Sequence, residues 1–410
     1  MDSTIVELER PWTGTIDWRA VKKWPQVVAR RVGDRGEWVL GVSSLTPAGP
    51  MPQVDGTGVF GHICYEAKNR FEALSSRHEP MDGFPESHWW NARHSVIFKG
   101  STAVLSAKRE HISEGGELLD ALLREPPARS ALPFVEWKRQ TPRGEYLAEL
   151  GKLLEHIHRG DIYEVNYCTQ RKANLPGFDP FNAFAGLLHH TDAPFAGFLR
   201  HGDNFALCAS PERFLHIEGR RVITQPIKGT RPRHNDPAQD LALAAELAAD
   251  AKENSEHVMA VDVARNDLGR VAVQGSVQVE ELRAVKSYAT VHQMVSTVAA
   301  LLRPDVSPDE LLRATYPMAS MTGAPKVRAM QLIDEAEGMA RGIFSGTFGF
   351  FLPDGSADLN VVIRTLTYNA ATGDASLITG GAITAASIPE QEWEECELKA
   401  RSVLNAFGHA

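Results

Sequence analysis

Thr224-Gln225-Pro226-Ile227-Lys228-Gly229-Thr230-Arg231-Pro232-Arg233 is the stretch on which the reading of this chain turns. Pro226 and Pro232 fix φ near its two ends, and Gly229 lets the backbone pass close to a neighbouring group. A lysine inside so rigid a frame has two readings. In one it is a solvated loop residue among arginines. In the other Lys228 is a nucleophile, and the N–H groups of Gly229 and Thr230 beside it form an anion cradle. The residues just upstream place this stretch in a sheet. Phe205-Ala206-Leu207-Cys208-Ala209 reads as a strand and Ser210-Pro211-Glu212 as a turn. Residues 213–217 read as a second strand, Glu218-Gly219 as a tight hairpin, and residues 221–225 as a third strand. Folding about Glu218-Gly219 lays Gln225 opposite Glu212, so Lys228 falls near Glu212 at one end of the sheet. A carboxyl and an amine so placed are either a structural ion pair or an acid/base beside a nucleophile.

Composition narrows the setting. The 410 residues are 43% hydrophobic, enough for a large core, and the formal net charge is −9. That charge argues against nucleic acid or an anionic membrane as the main partner. An anionic substrate needs local help from a metal, arginines or aimed backbone donors. The N-terminus lacks a basic-then-apolar signal pattern, and no apolar run is long enough to span a bilayer. Cys64, Cys168, Cys208 and Cys396 are scattered without a CxxC pair, which suits reduced thiols in a cytosolic protein.

Along the chain, residues 1–125 mix short apolar runs with Gly/Pro turns and read as mostly antiparallel strands with a few helices. A proline- and charge-rich segment, Glu125-Pro126-Pro127-Ala128-Arg129-Ser130 through Pro142-Arg143-Gly144, reads as a boundary or crossing. Residues 145–158 carry Leu147, Leu150, Leu154 and Ile157 at helical spacing, stopped by Gly160. Residues 161–170 read as an alternating strand. Asp236 as N-cap and Pro237 at the first helical position open one long helix through Ala264. Near its end Glu253 and Glu256 stand three apart and share a face. Ser387-Ile388-Pro389-Glu390 reads as a capping box for a last helix running to about Phe407, before Gly408. On it Glu392, Glu395 and Lys399 share one face, and Trp393, Cys396, Ala400, Val403 and Phe407 form the opposite, apolar stripe. Either Glu-x-x-Glu pair alone is commonly a solvated helix face; together they offer oxygen-only ligands for a hard cation such as Mg²⁺.

The Pro226-Ile227-Lys228-Gly229-Thr230 run resembles the PIxGT signature of the chorismate-utilising enzymes, which include anthranilate synthase component I, aminodeoxychorismate synthase component I and the isochorismate and salicylate synthases. Lysine between the Ile and the Gly marks the aminodeoxychorismate synthase branch, where anthranilate synthases usually carry alanine. Ser210-Pro211-Glu212-Arg213-Phe214 resembles the family motif whose glutamate is a general acid/base. Residues 161–170 resemble its GDxxQVxxxQ segment, residues 261–270 its VDLxRND run, where mainly structural ion pairs are expected, and Ser320-Met321-Thr322-Gly323-Ala324-Pro325-Lys326 its (S/T)xxGxPK turn. Residues 58–66 resemble the N-terminal region.

The resemblance implies an α+β fold of two antiparallel β-sheets packed as a sandwich with flanking helices. It covers residues 143–405 as the chorismate-binding catalytic region, with 1–125 packed into the same unit. It makes Lys228 a nucleophile, Glu212 its acid/base partner and His292 a residue against the substrate ring. Arg364 is assigned to the enolpyruvyl carboxylate, a task suited to a guanidinium fork. Lys399, with backbone donors around Gly380 and Gly381, meets the ring carboxylate, and Ser320 belongs to the pocket. Glu256 and Glu395 carry over as magnesium ligands, with Glu253 and Glu392 in support. Three positions depart from the pattern. Glu164 replaces a glutamine of the amine-transferring members and is expected to hold ammonium near the ring. Phe344 replaces a tyrosine, removing a hydrogen bond, and Ala382 replaces the last glycine of an AGxG turn.

The implied chemistry is attack of Lys228 on C2 of chorismate while Glu212 protonates the departing C4 hydroxyl. Ammonia then adds at C4 and expels the lysine. For this, desolvation or nearby positive charge is expected to lower the pKa of Lys228. Ammonia is expected from a separate glutamine amidotransferase subunit, since no glutaminase elbow is present. The alternatives are anthranilate synthase component I, which aminates C2 and releases pyruvate, and a non-catalytic chorismate-binding relative.

Overall fold

The computed structural model describes residues 4–407, apart from 34–35, 48, 50, 127–135 and 289–290. Much of the proline-rich crossing therefore lies outside the described residues, as does Gly408.

Among the described residues the strands gather into two antiparallel sheets, one of twelve strands and one of nine. Each draws on both halves of the chain. In the larger sheet, Ile5–Pro11, Thr102–Lys108 and Gln26–Arg31 lead through Gly197–His201 to Asn204–Cys208 and the C-terminal strands. In the smaller, Val59–Ile63 and Ser87–Asn91 extend the strands that follow Glu212. Six strands and three helices position the site: β1 (Glu164–Asn174), β2 (Arg213–Glu218), β3 (Arg221–Gln225), β4 (Ile227–Pro232), α1 (Pro237–Ala249), α2 (Ala251–Gly269), β5 (Val291–Leu301), β6 (Asp374–Thr384) and α3 (Pro389–Leu404). β1 and β6 are neighbours in the larger sheet; β2 to β5 belong to the smaller.

The sandwich expected from the family resemblance is present. Val28, Val39, Leu199 and Ala206 of the larger sheet meet Phe60, Phe348 and Phe350 of the smaller in one apolar layer. Helices cover the outer faces. Leu118, Phe184 and Val403 pack on the larger sheet, and Val261, Ala264 and Leu268 of α2 pack on the smaller. The apolar stripe of α3 is buried as expected, with Trp393, Cys396, Ala400 and Val403 inside. All four cysteines are buried and free.

The interior layer also holds charge. Asp358 accepts from Arg30 of the opposing sheet at 2.9 Å, and lies 2.9 Å from Arg213 and 3.3 Å from His216. Burial alone raises the Asp358 pKa, but Arg213, His216 and Arg30 outweigh it and hold the carboxylate ionised. Breaking such a cluster strands two guanidinium groups away from water. Asp358→Ala is therefore expected to cost about 3–5 kcal/mol, checked by denaturant unfolding of the purified variant.

Four local expectations are corrected. Gln225 lies opposite Arg213, not Glu212, because the turn is Gly219-Arg220, one residue later than read, with Glu218 paired to Arg221, and a register shift between Arg213 and His216 makes up only part of the difference. The helix expected over 236–264 is two helices, broken at Asp250, whose extended backbone (ψ 113°) and carboxylate cap α2 by accepting from the Glu253 N–H at 3.0 Å. The Ser387 capping box does not form, since the Ser387 hydroxyl accepts from the Thr384 N–H at 3.1 Å and Ile388 occupies the cap position. β1 does not alternate: all its residues from Glu164 to Arg171 are buried, because helices cover one face and the second sheet the other. At the tip of the β2–β3 hairpin Gly219 stands at φ +60°.

Candidate active site

The chain leaves the larger sheet at Cys208 and enters the smaller one at Arg213. Ser210-Pro211-Glu212 makes this crossing. The Ser210 hydroxyl accepts from the Glu212 N–H at 3.1 Å and ties the turn to itself. Glu212 is only 4% exposed. Burial pushes its pKa up to about 7, while the Ser320 hydroxyl and the Lys228 charge offset part of the rise. A carboxyl of this kind holds a proton near neutrality, as a general acid requires.

Lys228 arrives on β4. Opposite β5, Lys228 pairs with Met294 and Thr230 with Gln293, so Gly229 is the extra residue of a bulge. Its φ is +75°, and a Cβ there would lie 2.8 Å from Leu247 and 3.1 Å from the Glu253 carboxylate. Glycine is thus required twice over, by backbone conformation and by the close approach of α1 and α2. The Lys228 side chain, 8% exposed, reaches across to the other sheet. There its Nζ donates to Glu164 Oε1 at 2.6 Å. Glu164, 2% exposed, stands at the first position of β1, paired with Ala324 and Thr384.

This corrects one expectation. Burial does pull the Lys228 pKa down, but the charges of Glu164, Glu256 and Glu212 outweigh it and raise it above the usual lysine range. The resting amine is an ammonium. Glu164, for its part, is committed to Lys228. Glu212 and Lys228 sense each other's charge, as their shared end of the sheet implies, yet form no direct ion pair.

The two Glu-x-x-Glu pairs face one another from α2 and α3. Lys252 lies between them, 2.6 Å from Glu392 and 3.6 Å from Glu256. The Glu253 pKa is raised by burial and by Glu395 across the gap. Burial pushes Glu256 up to about 7. Gly381 allows β6 to approach α3, since a Cβ would lie 3.3 Å from Glu392 Oε2 and 3.9 Å from Glu395 Oε1. Among the described residues no three acidic, histidine or cysteine side chains converge as a closed metal nest. The donor set is nevertheless all oxygen, and Glu392 Oε2 is buried without a hydrogen-bond partner. Such a set fits a hard divalent cation that keeps several waters and takes few protein ligands.

Lys399 extends the site. Its Nζ bonds Glu395 at 2.6 Å and the Gly380 carbonyl at 2.8 Å. That pairing with Lys399 holds the Glu395 pKa below the usual carboxylate range. Arg364 has a positive φ of 50°, and its guanidinium makes no hydrogen bond or ion pair with another described residue. Burial lowers its pKa, with Glu395 the charge that opposes this. An unpaired, half-buried guanidinium beside the carboxylate cluster is a ready anion receptor. Phe344 is buried in the apolar layer with Val361 and Ile378, Ala382 is buried opposite Asn166, and Thr230 is half-buried.

One candidate is held apart. His292 donates or accepts through both ring nitrogens, to Asp240 at 2.9 Å and Ser287 at 2.8 Å. These bonds fix the orientation of its ring. The expected structural ion pairs of residues 261–270 do form: Asp267 bonds Lys326 at 2.5 Å and Asp262 bonds Arg265 at 3.0 Å. Sequence reasoning missed Lys252 and Thr384. Lys252 sits four before Glu256, an ion-pair spacing readable in advance. Thr384, whose hydroxyl is 3.5 Å from Glu256, gave no such signal.

A sandwich with buried acid, amine and carboxylate pairs at the meeting edge of its sheets defines one class of protein. The chorismate binding enzyme family matches residues 36–405, and the chain belongs to that family. Among curated relatives, it is 36% identical over 362 residues to aminodeoxychorismate synthase component 1 of Salmonella typhimurium, covering 88% of this chain and 79% of that protein. It is 35% identical over 358 residues to anthranilate synthase component 1 of Thermus thermophilus, covering 85% and 77%. It is 46% identical over 279 residues to aminodeoxychorismate synthase of Streptomyces pristinaespiralis, covering 67% of this chain but 38% of that longer protein. Several of the curated relatives it matches are thus much longer than this chain. In fold it is similar to anthranilate synthase component I of Streptococcus pneumoniae (TM-score 0.76, 23% identity, 98% of this chain and 92% of that one). It is equally similar to the menaquinone-specific isochorismate synthase of Escherichia coli (TM-score 0.78, 17% identity, 99% and 95%).

Proposed function

We propose that this chain is the synthase subunit of an aminodeoxychorismate synthase, converting chorismate and ammonia to 4-amino-4-deoxychorismate through a covalent bond to Lys228. The observation that carries the reading is the Lys228 amine itself. It is buried, aimed across the two sheets, and set among Glu164, Glu212 and Glu256. An amination at C2 has no use for such a group.

The residues divide the work. Arg364 takes the enolpyruvyl carboxylate, and Lys399 with the backbone at Gly380 and Gly381 orients the ring carboxylate. Once deprotonated, Lys228 attacks C2. The diene electrons shift, and Glu212 protonates the C4 hydroxyl so that it departs as water. Ammonia adds at C4, the bond to Lys228 breaks, and Glu212 recovers its proton from the new ammonium. Glu256 and Glu395, supported by Glu253 and Glu392, would hold Mg²⁺; when bound, it neutralises the ring carboxylate and polarises the ring. Lys252 presents a positive charge to the same carboxylates. We assign the ammonia supply to a separate glutamine amidotransferase subunit and the product to p-aminobenzoate and folate synthesis in the cytoplasm.

Product analysis tests the reading. With chorismate, Mg²⁺ and ammonia, the expected product is 4-amino-4-deoxychorismate, with p-aminobenzoate appearing only when a lyase is added. Pyruvate and a fluorescent aromatic product without lyase would instead identify an anthranilate synthase. Chorismate binding without turnover would identify a non-catalytic relative.

A further inference from the structure

The Lys228–Glu164 contact poses a chemical problem that the acid Glu212 does not solve. An ammonium has no lone pair, so Lys228 must lose a proton before it can bond to carbon. The acceptor must be within hydrogen-bond reach and shielded from water. Three carboxyls face the amine, Glu164 from β1, Glu212 from the turn before β2, and Glu256 from α2. Only Glu164 touches it, at 2.6 Å, and both groups are buried. Glu212 must keep its own proton for the leaving hydroxyl.

Resting on the covalent reading above, we infer that Glu164 is the general base that activates Lys228, so that the nucleophile and its proton acceptor come from opposite sheets. The N–H bond of the ammonium breaks and the proton passes to Glu164 Oε1, leaving a neutral amine and a neutral carboxylic acid. The freed lone pair forms the N–C2 bond. When ammonia later displaces the lysine, the amine leaves neutral and takes its proton back from Glu164. No net proton is gained or lost, and the ion pair is restored for the next turnover. Glutamine at this position offers no acceptor at comparable basicity, so this chain's glutamate gives it a base that an amide cannot supply.

The test compares Glu164→Gln, an isosteric change, with wild type and Glu164→Ala. Glu164→Gln is expected to lower kcat for amination by about 100-fold, the usual scale for a lost general base, with chorismate affinity by calorimetry little changed. Glu164→Ala is expected to be equally slow and to regain activity with added formate, which fits the vacated space as an exogenous acceptor. A Glu164→Gln rate at or above wild type overturns the inference, because it means the carboxylate only restrains the amine. Failure of formate to rescue a folded, chorismate-binding Glu164→Ala also counts against it. These outcomes are separable from failure of the covalent reading itself, which shows as wild-type turnover in Lys228→Ala.

Discussion

Lys228→Ala is expected to lower amination of chorismate by roughly 10⁴- to 10⁶-fold, the upper figure being the scale on which a protease loses its covalent nucleophile. The variant loses the group that bonds to C2, and no other amine among the described residues occupies its place: Lys252 is held by Glu392 and Glu256, and Lys399 by Glu395 and Gly380. The substitution also leaves Glu164 buried without its cation. A buried carboxylate left without its partner is costly, so the protein is expected to lose some stability. Chorismate binding by calorimetry separates that effect from chemistry, since Arg364 and Lys399 are untouched. A Lys228→Ala protein that still aminates at the wild-type rate rules out the covalent route.

Glu212→Gln is expected to reduce kcat by about 10²- to 10⁴-fold, with KM nearly unchanged, because an amide fills the same space but cannot protonate the departing hydroxyl. The wild-type profile carries a second signature. With its pKa pushed up to about 7 by burial, Glu212 is an acid below that pH and a carboxylate above it. Wild-type kcat should fall as pH rises through about 7, and this alkaline limb should vanish in Glu212→Gln. A limb that persists unchanged assigns the proton donation to another group.

Local chemistry made much of this legible in the sequence. The hairpin about Gly219 follows from turn residues and flanking alternation, and it placed Lys228 near Glu212 before any coordinates. The register was one residue off because the turn falls at Gly219-Arg220, one residue later than read, and the irregularity beyond it leaves no compositional mark. The break at Asp250 was in fact written, since Asp250 followed by Glu253 is a helix-start pattern, but an alanine-rich run on its N-terminal side disguised it. The Glu164–Lys228 contact could not be read, because it joins residues 64 apart through the meeting of two sheets. Nor could the sign of the Lys228 shift, which depends on three carboxylates from separate elements. The His292–Asp240 bond was hidden in the same way, because it joins a strand to a helix 52 residues away in sequence.

The crossing at Ser210-Pro211-Glu212 has a mechanical corollary. The proton donor rides on the seam of the sandwich, and its neighbour Arg213 is moored through Asp358 to Arg30 in the opposing layer. Sliding one layer past the other changes how far the acid reaches while leaving Lys399 on α3 in place. Lesions deep between the layers will therefore surface as faulty proton delivery, with the grip of Lys399 on the ring carboxylate intact.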